Sequence, residues 1–368
     1  MSNEDDFGGD IPAGPLKRGW TTGACATAAT RAACEALVTG GCPDPVEIEL
    51  PSGARVAFAV AMSQRTPESA TVGIVKDAGD DPDVTHGALV KATVRYGAPG
   101  SGVTFRAGEG VGTVTKPGLP LPPGEPAINP VPREMMRRAV AEVAQLFGAR
   151  RDVVVEISIP GGDILAAKTL NGRLGILGGL SILGTTGIVI PFSCSAWIHS
   201  IHRGIDVARA SGLDHLAGAT GSTSEKAVQQ LHHLPEQALI DMGDFVGGML
   251  KYVRRNPVPK VTIAGGFAKM TKLGQGLLDL HSRSGSVDLA WLAELLRGAG
   301  APADLVEACR TANTALFVLQ EAEKRGVPVG ELVAKAAWKT AAEVLDGTGI
   351  ALDTVVFDRT GGLVGRWG

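Results

Sequence analysis

Apolar and polar positions change their rhythm along this chain, and each rhythm predicts an element. Val46–Leu50 reads Val-Glu-Ile-Glu-Leu, Pro51-Ser52-Gly53 interrupts it, and Arg55–Val60 follows. A period of two broken by a turn predicts a hairpin with one buried face. Thr71–Val75, Ala88–Tyr96, Gly102–Thr115 and Val153–Ile159 predict further strands. Two stretches have a helical period instead. Ala24–Val38 is alanine-rich, preceded by Thr21-Thr22-Gly23 as a cap and closed by Gly40-Gly41. Arg133–Phe147 places Met136, Ala139, Val140, Val143 and Phe147 on one face, with Gly148 as its stop. Lys76–Gly87 and Gly118–Pro132 are loops, the first with four aspartates, the second rich in proline and glycine.

The pattern then loses its charges. Ile157–Ile198 is the stretch around which the chain is organised, and Leu174–Ile198 contains no charged side chain. That length could span a bilayer, but Gly175, Gly178, Gly179, Gly184, Gly187 and Pro191 break it too often for a helix. It reads as a buried strand-and-turn segment at an interface, its backbone amides available to a ligand. A tightly packed core crossing explains the same residues equally well. Lys168 and Arg173 stand just upstream beside Asn171, where an anionic small molecule could be held.

After Ser193 the order becomes strand, glycine turn, helix. Ala196–Ala210 predicts a helix, and Leu216–Ala219, Ala238–Met242 and Lys260–Ala264 predict short apolar strands. Ser224–Leu231 and Phe245–Arg255 are helical, as are Asp288–Arg297, Pro302–Ala308, Asn313–Arg325 and Val329–Leu345, and Asp353–Phe357 is a last strand. The expectation is an α+β N-terminal domain, residues 1–192, on the substrate side and including the glycine-rich segment. A Rossmann-like α/β domain with a mostly parallel sheet, residues 193–368, follows it.

Composition narrows the function. The chain has 368 residues, 44% hydrophobic and 20% charged, with net charge −3 and 4% aromatics. That balance is globular and lacks the basic field and stacking rings of a nucleic-acid binder. Five cysteines without a Cys-x-x-Cys pair argue against a zinc or disulfide framework. The acidic Met1–Asp10 is the reverse of a signal peptide and reads as a short mobile tail, so the expected compartment is the cytoplasm, with no membrane partner. The sequence allows a homo-oligomer without indicating one.

Chemistry concentrates in four places. Thr21 and Thr22 open a helix beside Lys17 and Arg18, an arrangement that suits an anion or an ordinary cap. Gly218, Thr220, Gly221 and Ser222 form a turn into a helix, with Ser222 or Thr223 as cap. Asp241 follows at the interval of a ribose-binding acid, and Gly265-Gly266 ends the next strand at the same sheet edge. Neither a full Gly-x-Gly-x-x-Gly nor a phosphate-cradling loop is present, so an adenosine cofactor with weak phosphate demands fits better than ATP. His199 and His202 share a helix face without a carboxylate at ligand spacing, and His232-His233 cannot share one site on a regular helix. The Lys76–Gly87 aspartates read as a solvated turn or as a ligand-binding or catalytic loop.

Several motifs in order resemble a known family. They are Thr21-Thr22-Gly23-Ala24-Cys25-Ala26, Lys76–Asp83, Gly124–Pro132, Lys168–Gly187 and Gly243-Asp244-Phe245-Val246-Gly247. Together they resemble the cobalt-precorrin-5B C-1-methyltransferases of anaerobic cobalamin synthesis, the CbiD family. The resemblance runs from about Leu16 to the carboxyl end. It implies an S-adenosylmethionine (SAM) methyltransferase acting on a cobalt-containing corrinoid precursor. Cobalt then belongs to the substrate, and no protein metal site is required. The implied substrate carries many carboxylates, which makes Thr21, Thr22, Lys168, Arg173, Thr185 and Thr186 the substrate-side candidates. Asp77 and Asp81 are candidates for a base that removes a proton as the ring carbon becomes quaternary. Rival readings are a nicotinamide-dependent oxidoreductase and a non-catalytic corrinoid carrier.

Overall fold

The computed structural model describes residues 14–368. The acidic tail expected at Met1–Asp10 lies outside the described residues. Two compact units divide the described chain, residues 14–193 and 194–368.

In the first unit, β1 (Gly19–Trp20) leads into α1 (Thr22–Thr39). Thr21 is extended and its Oγ1 accepts the Ala24 amide at 3.1 Å, while Gly40 ends the helix at φ 86°. That is the threonine cap and glycine stop read in the sequence. Nearly every side of α1 is buried, which its alanines permit, because small side chains let neighbours approach from all directions. The hairpin of β2 (Val46–Glu49) and β3 (Arg55–Phe58) is present and antiparallel. Next come β4 (Met62–Arg65), β5 (Ser69–Val75), β6 (Leu89–Tyr96), β7 (Val103–Ala107) and β8 (Thr113–Val114). The unit closes with α2 (Pro130–Phe147), β9 (Val153–Ser158), α3 (Gly162–Ala166), β10 (Ile176–Leu177) and β11 (Ile188–Val189). A five-stranded sheet has the order β4-β5-β6-β9-β7, antiparallel except between β7 and β9.

Three expectations need correction here. Helix α2 begins at Pro130, not Arg133: Pro130 and Pro132 lie in the first turn, where a missing N–H loses no helical bond. The single strand expected over Gly102–Thr115 is broken into β7 and β8, because Gly108 and Gly110 turn the chain tightly against β9 and Gly162. The glycine-rich segment is only partly buried. Ile176, Leu180 and Ile182 enter the core, but Leu177, Leu183 and Ile190 are 50–56% exposed. Its regular structure is just β10 against β8 and β11 against β1, two residues each.

The second unit runs α4 (Cys194–Ala210), β12 (His215–Ala219), α5 (Ser222–His232), β13 (Leu239–Asp241), α6 (Val246–Arg255) and β14 (Lys260–Gly266). Then follow α7 (Phe267–Gly274), α8 (Leu289–Gly298), α9 (Ala303–Arg310), α10 (Ala315–Lys324), α11 (Val329–Val344), β15 (Ala351–Phe357) and β16 (Leu363–Trp367). One sheet of order β13-β12-β14-β15-β16 is parallel except for β16. All the expected strands are present, and β16 and α7 are additions. One sheet face meets a large core including Leu216, Val261, Ile263 and Val356. The other carries Ala217, Ala264, Val355 and Phe357 beneath Val228 of α5. Among the described residues no helix is long and apolar enough to cross a membrane.

Candidate active site

Strand order reverses between β12 and β14, since β13 lies on one side of β12 and β15 on the far side of β14. The carboxyl ends of these parallel strands gather the expected turn residues at one sheet edge. Thr220 donates its amide to the Ala264 carbonyl at 3.0 Å, and Met242 donates to the Ala219 carbonyl at 3.1 Å. Asp241 ends β13 directly opposite Ala219, and its carbonyl accepts from the Trp197 indole at 3.3 Å.

The four glycines of this edge divide into two kinds. A Cβ on Gly218 would lie 2.3 Å from Met249 Sδ and 2.8 Å from that of Met242, so Gly218 lets the core close on β12. One on Gly265 would lie 2.9 Å from both Thr220 and Met270. These two are packing positions on the side to which a Cβ would point. Gly221 and Gly266 face open space. The expected Ser222 or Thr223 cap is not formed either. Gly221 is the extended residue before α5, Ser222 is already helical, and Ser224 Oγ turns back to the Gly221 carbonyl at 2.9 Å.

Two side chains missed by the sequence reading complete this edge. Lys269 Nζ donates to the Thr220 carbonyl at 3.0 Å and lies 3.2 Å from Asp244 Oδ1. That oxygen is buried and has no hydrogen bond of good geometry. The Asp244 backbone is fixed in turn, because its carbonyl accepts the Leu280 amide at 2.8 Å.

In the first unit, the aspartates hold the loop together. Asp77 binds Lys17 Nζ at 2.6 Å and the Gly79 amide at 2.9 Å. The Lys17 hydrogen bond keeps its carboxyl below the usual range. Asp81 accepts the Phe192 amide at 2.9 Å, and burial raises its affinity for a proton. Lys76 is buried and pairs with Asp83 and Thr85. Burial alone would raise the Asp83 carboxyl, but the Lys76 charge and the hydrogen bonds from Lys76 and Thr85 outweigh it, and the net shift is downward.

The substrate-side candidates are scattered in role. Thr21 spends its hydroxyl on the α1 cap, and a Cβ on Gly184 would lie 2.3 Å from that oxygen. Thr22 is buried. Thr185 and Thr186 are exposed, and Thr186 closes a turn onto the Ile188 amide and carbonyl. Lys168 is exposed and Arg173 is half-buried. Asn171 is a latch, donating to the Gly179 carbonyl at 3.1 Å and accepting from Ser181 at 3.2 Å. Some of the segment's backbone groups are engaged within the unit: Leu180 donates to Gly110 and Ile182 to Ala127, while the Leu183 and Gly187 carbonyls accept from Gly23 and Thr21. The His199 and His202 rings stack 6.2 Å apart, and His202 lies on Tyr252 at 3.9 Å, a packing arrangement.

The comparisons with known proteins decide the family. The CbiD family model matches residues 11–191, and the model of the CbiD C-terminal domain matches residues 279–368. A protein of Bradyrhizobium named cobalt-precorrin-5B C(1)-methyltransferase is 71% identical over 96% of this chain and 94% of its own length. One of the same name from Agrobacterium fabrum is 64% identical over 95% of this chain and 93% of its own. The chain belongs to the CbiD family. A crystal structure of the CbiD cobalamin biosynthesis protein from Archaeoglobus fulgidus is 26% identical, with a TM-score of 0.40, over 78% of this chain and 85% of that one.

The CbiD relatives are named as methyltransferases, so this chain is a methyltransferase, and the reaction calls for a methyl donor. The Gly243–Gly247 motif gains a physical meaning in this family member. Gly243 has φ 51° and a Cβ there would lie 3.4 Å from the Trp197 ring, so the turn presents Asp244 beside the open edge. A conspicuous motif around an acid was the signal that could have found Asp244.

Proposed function

We propose that the protein transfers a methyl group from SAM to C-1 of cobalt-precorrin-5B in the anaerobic route to cobalamin, giving cobalt-precorrin-6A and S-adenosylhomocysteine. The names of its relatives support the reaction and disfavour the nicotinamide oxidoreductase and carrier readings. Five cysteines free of disulfides, three of them buried, support a reducing cytoplasmic setting.

The observation that carries the donor site is the pair of open glycines, Gly221 and Gly266, at the carboxyl ends of the two strands where the order reverses. Doubly wound, Rossmann-like sheets take nucleotides in that crevice. The residues fit SAM. Asp241 and Asp244 supply carboxylates for ribose hydroxyls or the amino group, and Asp244 Oδ1 is buried without a well-formed hydrogen bond. Thr220, Gly221, Ser222 and Gly266 give the backbone around them.

Bound SAM supplies a methyl group on a sulfonium sulfur. The chain's own work is to hold it against the ring carbon, since positioning alone can contribute about 7–11 kcal/mol to such a displacement. Lys168 and Arg173 would take macrocycle carboxylates as charge-assisted pairs. Asp81 suits proton removal better than Asp77, since its burial raises its basicity whereas Asp77 is neutralised by Lys17.

Calorimetry with SAM and with NADPH tests the reading. SAM binding without NADPH binding is expected. Asp241→Ala and Asp244→Asn should each weaken SAM by about 1–3 kcal/mol in a folded protein. NADPH binding, or unchanged SAM affinity in both variants, would overturn the site.

A further inference from the structure

A second polar cluster lies at the opposite, amino-terminal edge of the second-unit sheet. His215 opens β12, Thr262 is the third residue of β14, and Asp353 is its direct neighbour on β15. His215 lies two positions before Ala217, and Thr262 and Asp353 two before Ala264 and Val355, so all three share the face that α5 covers. Helix α5 ends at His232, which brings a second imidazole down onto them. The His215 and His232 rings meet edge to face, 4.9 Å between centroids.

We propose that His215, His232 and Asp353 form a binding site for a single divalent transition-metal ion of the zinc type. One donor atom from each lies within 4.8 Å of the other two. His232 Nε2 is 3.5 Å from Asp353 Oδ2. A tetrahedral zinc with bonds of about 2.0–2.1 Å has edges of about 3.4 Å, so this pair already stands at ligand spacing, and His215, within 4.8 Å, completes the three donors by moving inward. The second, independent observation is His232 itself. Its side chain is 9% exposed, and its Nε2 is buried without a hydrogen-bond partner. Buried polar atoms are nearly always satisfied, so one aimed at a buried carboxylate and a second imidazole indicates a missing partner.

The chemistry of the donors sets the ion. Two imidazoles and one carboxylate suit zinc and its first-row neighbours rather than magnesium or calcium, which prefer all-oxygen shells. Thr262 is placed as the supporting group, bonded to His215 Nε2 at 2.8 Å and donating to Asp353 Oδ1.

The site carries its own competitor. Arg366 on β16 donates to Asp353 Oδ2 at 2.7 Å, and its side chain is 43% exposed. A metal must displace this guanidinium, and an exposed side chain on an edge strand can swing out to solvent. Removing it should therefore strengthen metal binding, the reverse of what a purely structural ion-pair cluster predicts.

The test is zinc titration of the untagged, metal-free full chain against a chromophoric chelator, with the melting temperature read alongside. One equivalent of zinc per chain is expected, with a rise in melting temperature. His232→Gln and His215→Gln should each weaken the binding about 100-fold or more, His199→Gln should leave it unchanged, and Arg366→Met should tighten it. Circular dichroism checks folding, and if one imidazole variant does not fold the other carries the test. Absence of a tight equivalent, or one that survives both His232→Gln and His215→Gln, would overturn the site, as would weaker binding in Arg366→Met.

Discussion

Asp81 holds the backbone amide of Phe192 at 2.9 Å across 111 residues of sequence, and Phe192 has a positive φ of 55°. The aspartate loop thereby anchors the end of the glycine-rich segment in a conformation that a bulky residue rarely adopts. Asp81→Asn retains an oxygen for that bond, so it separates anchoring from proton transfer. If Asp81 is the base, single-turnover methyl transfer from labelled SAM should fall by roughly 10²–10⁴-fold with SAM affinity near normal. Asp77→Asn should leave turnover nearly intact. In the native enzyme the rate should fall on acidification with an apparent pKa above the ordinary aspartate value, because burial raises that of Asp81 and the base must be ionised. Full-rate transfer in Asp81→Asn would leave the loop a purely structural role.

Gly218 and Gly221 differ by three positions and should respond oppositely to alanine. Gly218→Ala forces a methyl into Met249 and Met242 and should destabilise by about 1–3 kcal/mol, read as a lower melting temperature. Gly221→Ala and Gly266→Ala meet no neighbour, so stability should hold while SAM binding weakens. Equal effects on stability at the three positions would contradict this division.

Arg173→Lys keeps a charge but loses the planar fork, so it should raise the Michaelis constant for the corrinoid if Arg173 grips a carboxylate. Lys168→Met should do the same by removing the charge. Steady-state kinetics at saturating SAM decide it, and unchanged constants in both variants would remove this segment from the substrate site.

The Lys76–Asp83 pair sets an acid limit. Asp83 titrates below its ordinary 3.8 in the folded chain, so its contribution is present above that value and is lost as the pH falls through the lower folded value. Asp83→Asn leaves the buried Lys76 ammonium without its counter-charge and should cost about 3–5 kcal/mol at neutral pH. Chemical denaturation of both proteins from pH 7 down to 2 should show the difference narrowing in acid. A constant difference would remove Asp83 from the acid response.

Elements with local signals were legible in the chain. Thr21 and Gly40 bound α1 because capping is a property of a few adjacent residues, and the strand–glycine–helix rhythm after Ser193 marked β12, β13 and β14. The strand β4, Met-Ser-Gln-Arg, has no apolar alternation to betray it. Helix α7 follows β14 without a break, so no loop marks its start. The site was harder to read for a physical reason. Whether a glycine faces a ligand or a methionine depends on atoms from other elements, so Gly218 and Gly221 look alike in sequence. Counting along the chain selected Asp241, whereas the Gly243–Gly247 motif marked Asp244 without showing its role, which the structure gives where Lys269 and the Leu280 amide converge on it. His215, His232 and Asp353 share no local spacing and meet only through strand register and the end of α5.

The second sheet ends in β13, three residues long, and in β16, the one antiparallel strand. A sheet's outer strand is a template on which a neighbouring molecule can add its own backbone. β13 offers too few groups for that. β16 is pressed by α11 so closely that a Cβ on Gly365 would lie 2.1 Å from the Gly330 backbone. Its exposed positions carry Leu363, Arg366 and Trp367, the last under the Lys335 ammonium at 4.5 Å. The short β13 and the α11-covered β16 thereby limit how much open edge this largely parallel sheet presents to a neighbouring molecule.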